Sequence, residues 1–520
     1  MLSVLVTPSF LLFPLLSLIL FKTMRFEHAL VISLMTGYLF LPPNVGVNLP
    51  GLPPLEKNSS ISLALLLGWL VARPRDVETT KSDSFANVVF LTFLVTLLIA
   101  PFVTVATNGE ALRGAGPFRP GLGLRDAVSM LTEAAILLPP FFLARRYLAT
   151  PEAQRQMLMI LVVFALGYSL LVLFERRMSP QLNNWVWGFF PHSWQQHIRG
   201  GGFRPIVFLR HGLWVGFFLL SAALAAFALR RDPDRRVLGI LAGIWLMMVL
   251  ALSRNVGAML LAAAFVPIVL LTGPWVQARI AMIVAIAFLA FPVLRQADII
   301  PVRDIADRVA QYSAVRAQSF IYRLDNEDLL LARAAEKPLA GWGGWARDRV
   351  YDETGRDLTT LDGGWIIRLG QRGWLGYLGF FGLLTAPLLL LARAMRRKPV
   401  PVATAGLATI TAANLIYLVP NSALSPIGWL MAGALAGFVQ YDRAEARAEE
   451  PADTGGRKRL AHTRAPKVEE PRTQGGQRGT EGPVYTRFPE GTVPEERGSR
   501  QSQRVRSRPY SRSSRRTPGS

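Results

Sequence analysis

The sequence predicts an all-α, polytopic membrane protein. It reads as a bundle of 12 or 13 transmembrane helices with one large helical loop and a disordered C-terminal tail. Three observations lead there. Hydrophobic residues make up 51% of the 520, and they gather in blocks of about 16–22 residues, the length a helix needs to cross a bilayer. Within the blocks apolarity is continuous rather than alternating, which excludes a β-barrel, whose strands alternate lipid-facing and lumen-facing residues. Basic residues then recur in every second loop, the pattern of a chain that threads a membrane repeatedly.

The predicted spans are 4–21, 26–41, 61–73, 86–105, 126–144, 157–175, 209–229, 237–253, 256–272, 279–294, 373–392, 402–419 and 424–440. In lipid the backbone must satisfy its own hydrogen bonds, so each is a helix. The third is short enough to be tilted or re-entrant. The first has no basic residue before it and no small-residue cleavage site, so it reads as a retained span rather than a signal peptide. Lys22 and Arg25, Arg73 and Arg75, Arg145 and Arg146, Arg230 to Arg236, and Arg393 to Lys398 mark one side, which the positive-inside rule makes cytoplasmic. Loops 42–60, 106–125, 176–208 and 295–372 then face outward.

The expected organisation is a bundle over 1–294, the large outer loop over 295–372, further spans over 373–441, and a tail over 442–520. The loop is expected to carry an amphipathic helix over 301–331 and a second over 325–336, before a turn at Pro338. The tail is poor in aliphatics, rich in Gly, Pro and Ser, and ends in a run of arginines. It cannot bury enough apolar surface to offset its ordering entropy. The net charge of +22 is accounted for by cytoplasmic loops and contact with anionic lipid, without nucleic acid. With no cysteine, disulfides, thiolate metal sites and cysteine nucleophiles are excluded.

The polar loop closes with KPLAGWGGW (Lys337–Trp345) and LDGGWIIRLGQRGWLG (Leu361–Gly376). The glycines free the backbone, while Trp342 and Trp345 can either anchor at the membrane interface or cover a sugar ring in a substrate groove. A pyrophosphate leaving group needs positive charge, and arginine supplies planar, bidentate donors. The outward loops and span ends offer Arg199, Arg204, Arg210, Arg254, Arg323 and Arg368, each readable instead as a structural ion pair or an interfacial side chain. Asp362 can act as a general base or cap the following helix. His211 is the second titratable candidate, or a neutral structural donor. His192 and His197 lie in a Trp-rich segment with no third ligand in view, which argues for interfacial docking over a metal.

The run Pro338, Leu339, Gly341, Trp342, Gly343, followed by Gly373 and Gly376 opening a span, resembles the O-antigen ligase and polymerase-like superfamily. LSRN (Leu252–Asn255) is similar to a Ser-Arg that many members carry between two late spans. The resemblance covers roughly residues 60–440. It implies a multi-pass protein of a bacterial inner membrane with one large periplasmic loop. It also implies metal-independent, cofactor-free transfer of an oligosaccharide from an undecaprenyl-pyrophosphate carrier to a glycan acceptor. Arginines would hold the pyrophosphate. Many ligase-like members carry His-Asn eleven residues before the glycine matching Gly373, where this chain has Asp362-Gly363. That departure leans towards polymerase over ligase. A transporter or flippase for an anionic or lipid-linked substrate is the alternative from another class, and a scaffold acting through the basic tail is a third.

Overall fold

The computed structural model describes residues 3–48, 53–74, 81–114, 116–199, 201–312 and 314–442. The predicted tail beyond 442 lies outside them. The first helices are α1 (Val6–Thr23), α2 (Phe26–Phe40), α3 (Lys57–Ala72), α4 (Ser84–Ala106), α5 (Leu124–Tyr147) and α6 (Pro151–Met178). A short α7 (Leu182–Trp187) precedes α8 (Gly212–Leu229), α9 (Arg236–Leu252), α10 (Val256–Leu271) and α11 (Pro274–Gln296). The polar segment forms α12 (Val302–Tyr312) and α13 (Ala314–Glu336). The chain then returns through α14 (Gly364–Ala394), α15 (Val402–Tyr417) and α16 (Pro426–Gln440). The described strands are two-residue pairs.

Each of the thirteen predicted spans contains a helix. Eight helices are long and apolar enough to cross a membrane: α1, α4, α5, α6, α8, α9 with its preceding turn, α11 and α14. The other five apolar helices, α2, α3, α10, α15 and α16, have 15 or 16 residues. At 1.5 Å per residue these reach about 24 Å, a little short of a typical hydrocarbon core. Helices α8, α15 and α16 are buried almost all round and form the centre of the bundle. Around them, α1, α9 and α11 turn Leu12, Leu15, Leu238, Leu241, Ile283 and Ile286 outward. A soluble protein rarely exposes a belt of that extent, and lipid is its natural solvent.

Local signals explain the helix ends. At α6, the Thr150 hydroxyl accepts from the Ala153 amide, Pro151 opens the helix, and Arg176 and Arg177 close it at the negative end of its dipole. At α4, Asp83 accepts from the amides of Phe85 and Ala86 and pairs with Arg393 and Arg397. Arg145 with Gln440 and Arg155 with Asp232 lie in the same set of basic loops.

Three boundaries differ from expectation. The third span begins at Lys57, because its ammonium donates to the carbonyls of Tyr38 and Phe208, at 3.0 and 2.8 Å, and so joins the helix despite its charge. The polar segment divides near residue 313 rather than near 325. Helix α14 begins at Gly364, nine residues before the predicted span, so the loop returns as part of a long helix.

Candidate functional site

The two glycine motifs dock onto each other. Helix α14 breaks at Gly373, with φ 58° and ψ −163°, a region open essentially to glycine alone. The break frees two carbonyls and two amides, and the Pro338–Gly343 turn takes all four. Trp342 N donates to Gly370 O (2.8 Å) and Gly343 N to Gln371 O (2.9 Å), while Trp374 N donates to Pro338 O (2.8 Å) and Leu375 N to Leu339 O (3.1 Å). The approach leaves no room for side chains. A Cβ on Gly341 (φ 67°) would lie 2.5 Å from the Arg372 and Gly373 nitrogens, and one on Gly373 would lie 2.4 Å from Leu339 C and O.

The end of α4 locks the turn. Thr104 Oγ1 donates to Ala340 O (2.6 Å) and Asn108 Nδ2 to Gly341 O (2.9 Å), and Lys337 Nζ pairs with Glu110 at 2.7 Å. Arg347, fully buried, donates to the carbonyls of Pro120, Glu110 and Trp342. This corrects the reading of Trp342. Only 7% exposed, it lies under the Arg333 guanidinium (3.3 Å to the ring centroid) and donates its indole N–H to Arg333 O. A ring so enclosed neither anchors in an interface nor lines an open groove. Trp345 is 66% exposed and donates to Asp126 Oδ1 at 3.1 Å.

Three of the predicted arginines, Arg204, Arg210 and Arg254, lie elsewhere, around the start of α8. The buried Glu175 carboxylate accepts from three backbone amides, Leu182 (3.0 Å), Ile206 (2.8 Å) and Val207 (2.7 Å). It thereby holds Val207 at φ 54°, a costly conformation for a β-branched residue, and fixes the turn between Arg204 and Arg210. Arg204 is buried and donates Nε–H to Asn255 Oδ1 at 3.0 Å. Asn255 belongs to LSRN, where the chain turns from α9 into α10 and Arg254 takes φ 58°. A Cβ on Gly202 would meet Arg176 Nη1 at 2.7 Å and Arg254 Nη2 at 3.0 Å, so two guanidinium groups crowd that turn. Arg210 is exposed nearby.

His211 caps α8, its Nδ1 accepting from the Leu213 amide at 3.1 Å. The capping bond leaves Nδ1 without a proton in this arrangement. The fold also supplies the third imidazole that the sequence did not reveal. The ring centroid of His211 lies 4.6 Å from that of His192 and 4.8 Å from that of His197. Among the described residues, however, no group of three or more His, Cys, Asp or Glu is placed to hold a metal ion. Burial, assisted by Arg210 and Arg204, keeps the His192 imidazole below its ordinary pKa.

Asp362, on the long loop, pairs with Arg323 of α13. Its carboxylate lies 3.5 Å from Arg323 Nε, with both side chains about two-fifths exposed. It does not cap α14, where Gly363 is the N-cap and no side chain bonds to the first turn. Arg323 and Arg204 both act electrostatically on the hydroxyl of Tyr417, which donates to Leu213 O at 3.0 Å. Tyr417 also lines an apolar groove of about 430 Å³ between α10, α11 and α15, with Leu260, Leu261, Phe288 and Phe291. Through Tyr417 the hydrocarbon groove thus comes within electrostatic reach of Arg204 and Arg323.

Beside Asp362, burial raises the Glu327 carboxyl to about 7, against the pull of Arg295. A carboxyl raised in the folded state contributes stability that is full below its ordinary value of 4.5 and is lost as pH rises through about 7. Glu327→Gln is therefore expected to flatten the pH dependence of the thermal midpoint in detergent between those values. At about pH 8 it should stabilise the protein, by at most roughly 3 kcal/mol.

Arg368 stands apart. It pairs with Glu133 at 3.1 Å and stacks on Phe380. The side chain of Arg199 lies outside the described residues. Sequence reasoning missed Glu175 and Arg176. A signal existed for the first, since an acidic residue in the last turn of an apolar helix is disfavoured by both the dipole and lipid. Comparison with protein-family models finds no match to this chain, and comparison with curated proteins finds none either.

Proposed function

We propose that this chain is a glycan transferase of the polymerase or ligase type, acting at the outer, periplasmic face of a bacterial inner membrane. Its donor is an oligosaccharide carried on undecaprenyl pyrophosphate. The observation that carries this reading is the set of arginines around the start of α8, with a hydrocarbon groove within electrostatic reach of Arg204 and Arg323 and one ionisable carboxylate, Asp362, beside Arg323. A polyprenyl chain matches the groove, and a diphosphate matches guanidinium groups held close together by the fold.

In this reading Arg254 and Arg210 bind the diphosphate, supported by Arg204 and Arg323. The acceptor hydroxyl attacks the anomeric carbon and passes its proton to Asp362. The bond from that carbon to the diphosphate oxygen breaks, and the electron pair leaves with the diphosphate, where the arginines stabilise it. Arg323, 3.5 Å away, orients Asp362 until the acceptor arrives. His211 orients the α8 turn through its capping bond. The alternative, a transporter, requires ionisable groups deep within several spans. The cluster instead sits where helices end.

Asp362→Ala and Arg254→Ala are expected to lower long-chain polysaccharide by about 100-fold or more while the protein still accumulates in the membrane. Full-length polysaccharide at normal levels in both strains would remove the residue assignment.

A further inference from the structure

A second cleft, of about 830 Å³, lies between α3, α5, α14 and α16. It is separated from the apolar groove lined by Tyr417 by one thin partition. Gly364 N donates to Leu418 O (3.0 Å) and Asn421 O (3.1 Å), tying the start of α14 to the α15–α16 connection. Leu418 and Ser422 face the cleft, while Tyr417 and Asn421 line the groove. Asp362 is two residues before that tie.

The lining of the cleft is of two kinds. Towards the loop end, its wall carries Glu133, Arg368, Arg125, Gln371, Thr132 and Ser129. Glu133 is an ionisable residue on a membrane-spanning helix, yet it is 55% exposed into this space, held by Arg368 at 3.1 Å and by buried Arg372 at 3.6 Å. Arg372 Nη1 is buried with no hydrogen-bond partner. Among the lining residues the charges cancel, Arg125 and Arg368 against Glu56 and Glu133, and the remaining polar groups are neutral amides and hydroxyls. Such a wall offers donors and acceptors in mixture, which suits sugar hydroxyls, themselves both donor and acceptor, better than an anion. The rest of the lining is largely hydrocarbon and aromatic, with Leu137, Phe380, Leu424 and Trp429, the Arg368 guanidinium lying over the Phe380 ring. On its flank Val128 is half exposed on the outer face of α5.

We propose that this cleft binds a glycolipid with an uncharged, hydroxyl-rich head group. The sugar lies against Glu133, Arg368 and Gln371, and the hydrocarbon against Phe380 and Trp429. Its role, though not its binding, rests on the transferase reading. There it is the acceptor, presented to Asp362 from the opposite side of the partition to the donor.

The test uses the full-length chain in phosphatidylcholine nanodiscs. The discs are doped with a diacylglycerol bearing a neutral disaccharide, or with phosphatidylglycerol, or supplied with the free disaccharide in solution. Native mass spectrometry after release from the discs counts what stays bound. The glycolipid is expected to be retained about tenfold over either competitor. Ser129→Trp, which fills the cleft from an exposed position, is expected to reduce that retention about tenfold, as is Ser422→Trp from the other wall. Arg254→Ala should leave it unchanged. Equal or greater retention of phosphatidylglycerol overturns the proposal. So does equal binding of the free disaccharide, or retention unaffected in either folded tryptophan variant. Movement of the intact lipid-linked glycan without release of its carrier would sink the transferase reading and leave this binding result standing.

Discussion

Gly373→Ala is expected to leave almost no folded protein in the membrane. Gly373 occupies φ/ψ space that costs a side-chain-bearing residue of the order of 1–3 kcal/mol. Beyond that, its Cβ would sit 2.4 Å from backbone atoms of Leu339, which cannot rotate away as a side chain would. Relieving the clash means separating α14 from the Pro338–Gly343 turn and losing the four backbone bonds that join them. Gly341→Ala meets the same obstacle from the other side of the joint. Gly344→Ala is the control, since nothing lies within 4 Å of its Cβ position. Thermal unfolding in detergent, followed by size-exclusion chromatography, should show collapse for the first two and a near-native midpoint for the third.

The second large effect is expected at Glu175. Alanine there would strand three backbone amides, of which the buried pair at Ile206 and Val207 would each cost about 1–3 kcal/mol when left without a partner. The Arg204–Arg210 turn would lose the bonds that hold Val207 in its left-handed conformation. Glutamine is a demanding comparison, because its NH₂ would face amide donors instead of accepting from them. Both variants should lower the thermal midpoint and lose transfer, with alanine the more severe. If Glu175→Gln kept full activity and stability, Glu175 would not be what positions the arginine turn.

Much of the bundle is legible in the sequence because apolarity sustained over a bilayer's thickness suits little besides a membrane span. What escaped were the places where polar residues belong to helices. Lys57 joins α3 through two carbonyls contributed by distant segments, and Arg368, Gln371 and Arg372 belong to α14 because a second motif repairs the break at Gly373. The burial of Trp342 was equally hidden, since its cover is Arg333 and Lys337, residues that read as solvated. Within the site, Arg204, Arg210, Arg254 and His211 were visible as residue types in loops and at span ends, and Arg323 and Asp362 as residues of the long loop; the fold sets the first four around the start of α8 and pairs the last two. Arg368 was chosen on the same grounds. It lies more than a turn into α14, whereas Asp362 precedes the helix, a separation invisible until the helix is known to begin at Gly364. Glu175 was the most informative residue overlooked, an acid at a helix end where only a set of waiting amides makes it stable.

The most direct test of transfer is reconstitution of the full-length chain with an undecaprenyl-pyrophosphate-linked oligosaccharide, following free undecaprenyl pyrophosphate and glycan length together. The expected result is release of the carrier coupled to a longer glycan in the wild type, reduced about 100-fold or more in Asp362→Ala and Arg254→Ala. Movement of the intact lipid-linked glycan across the membrane without release of the carrier, or release at wild-type rates in both variants, would contradict it.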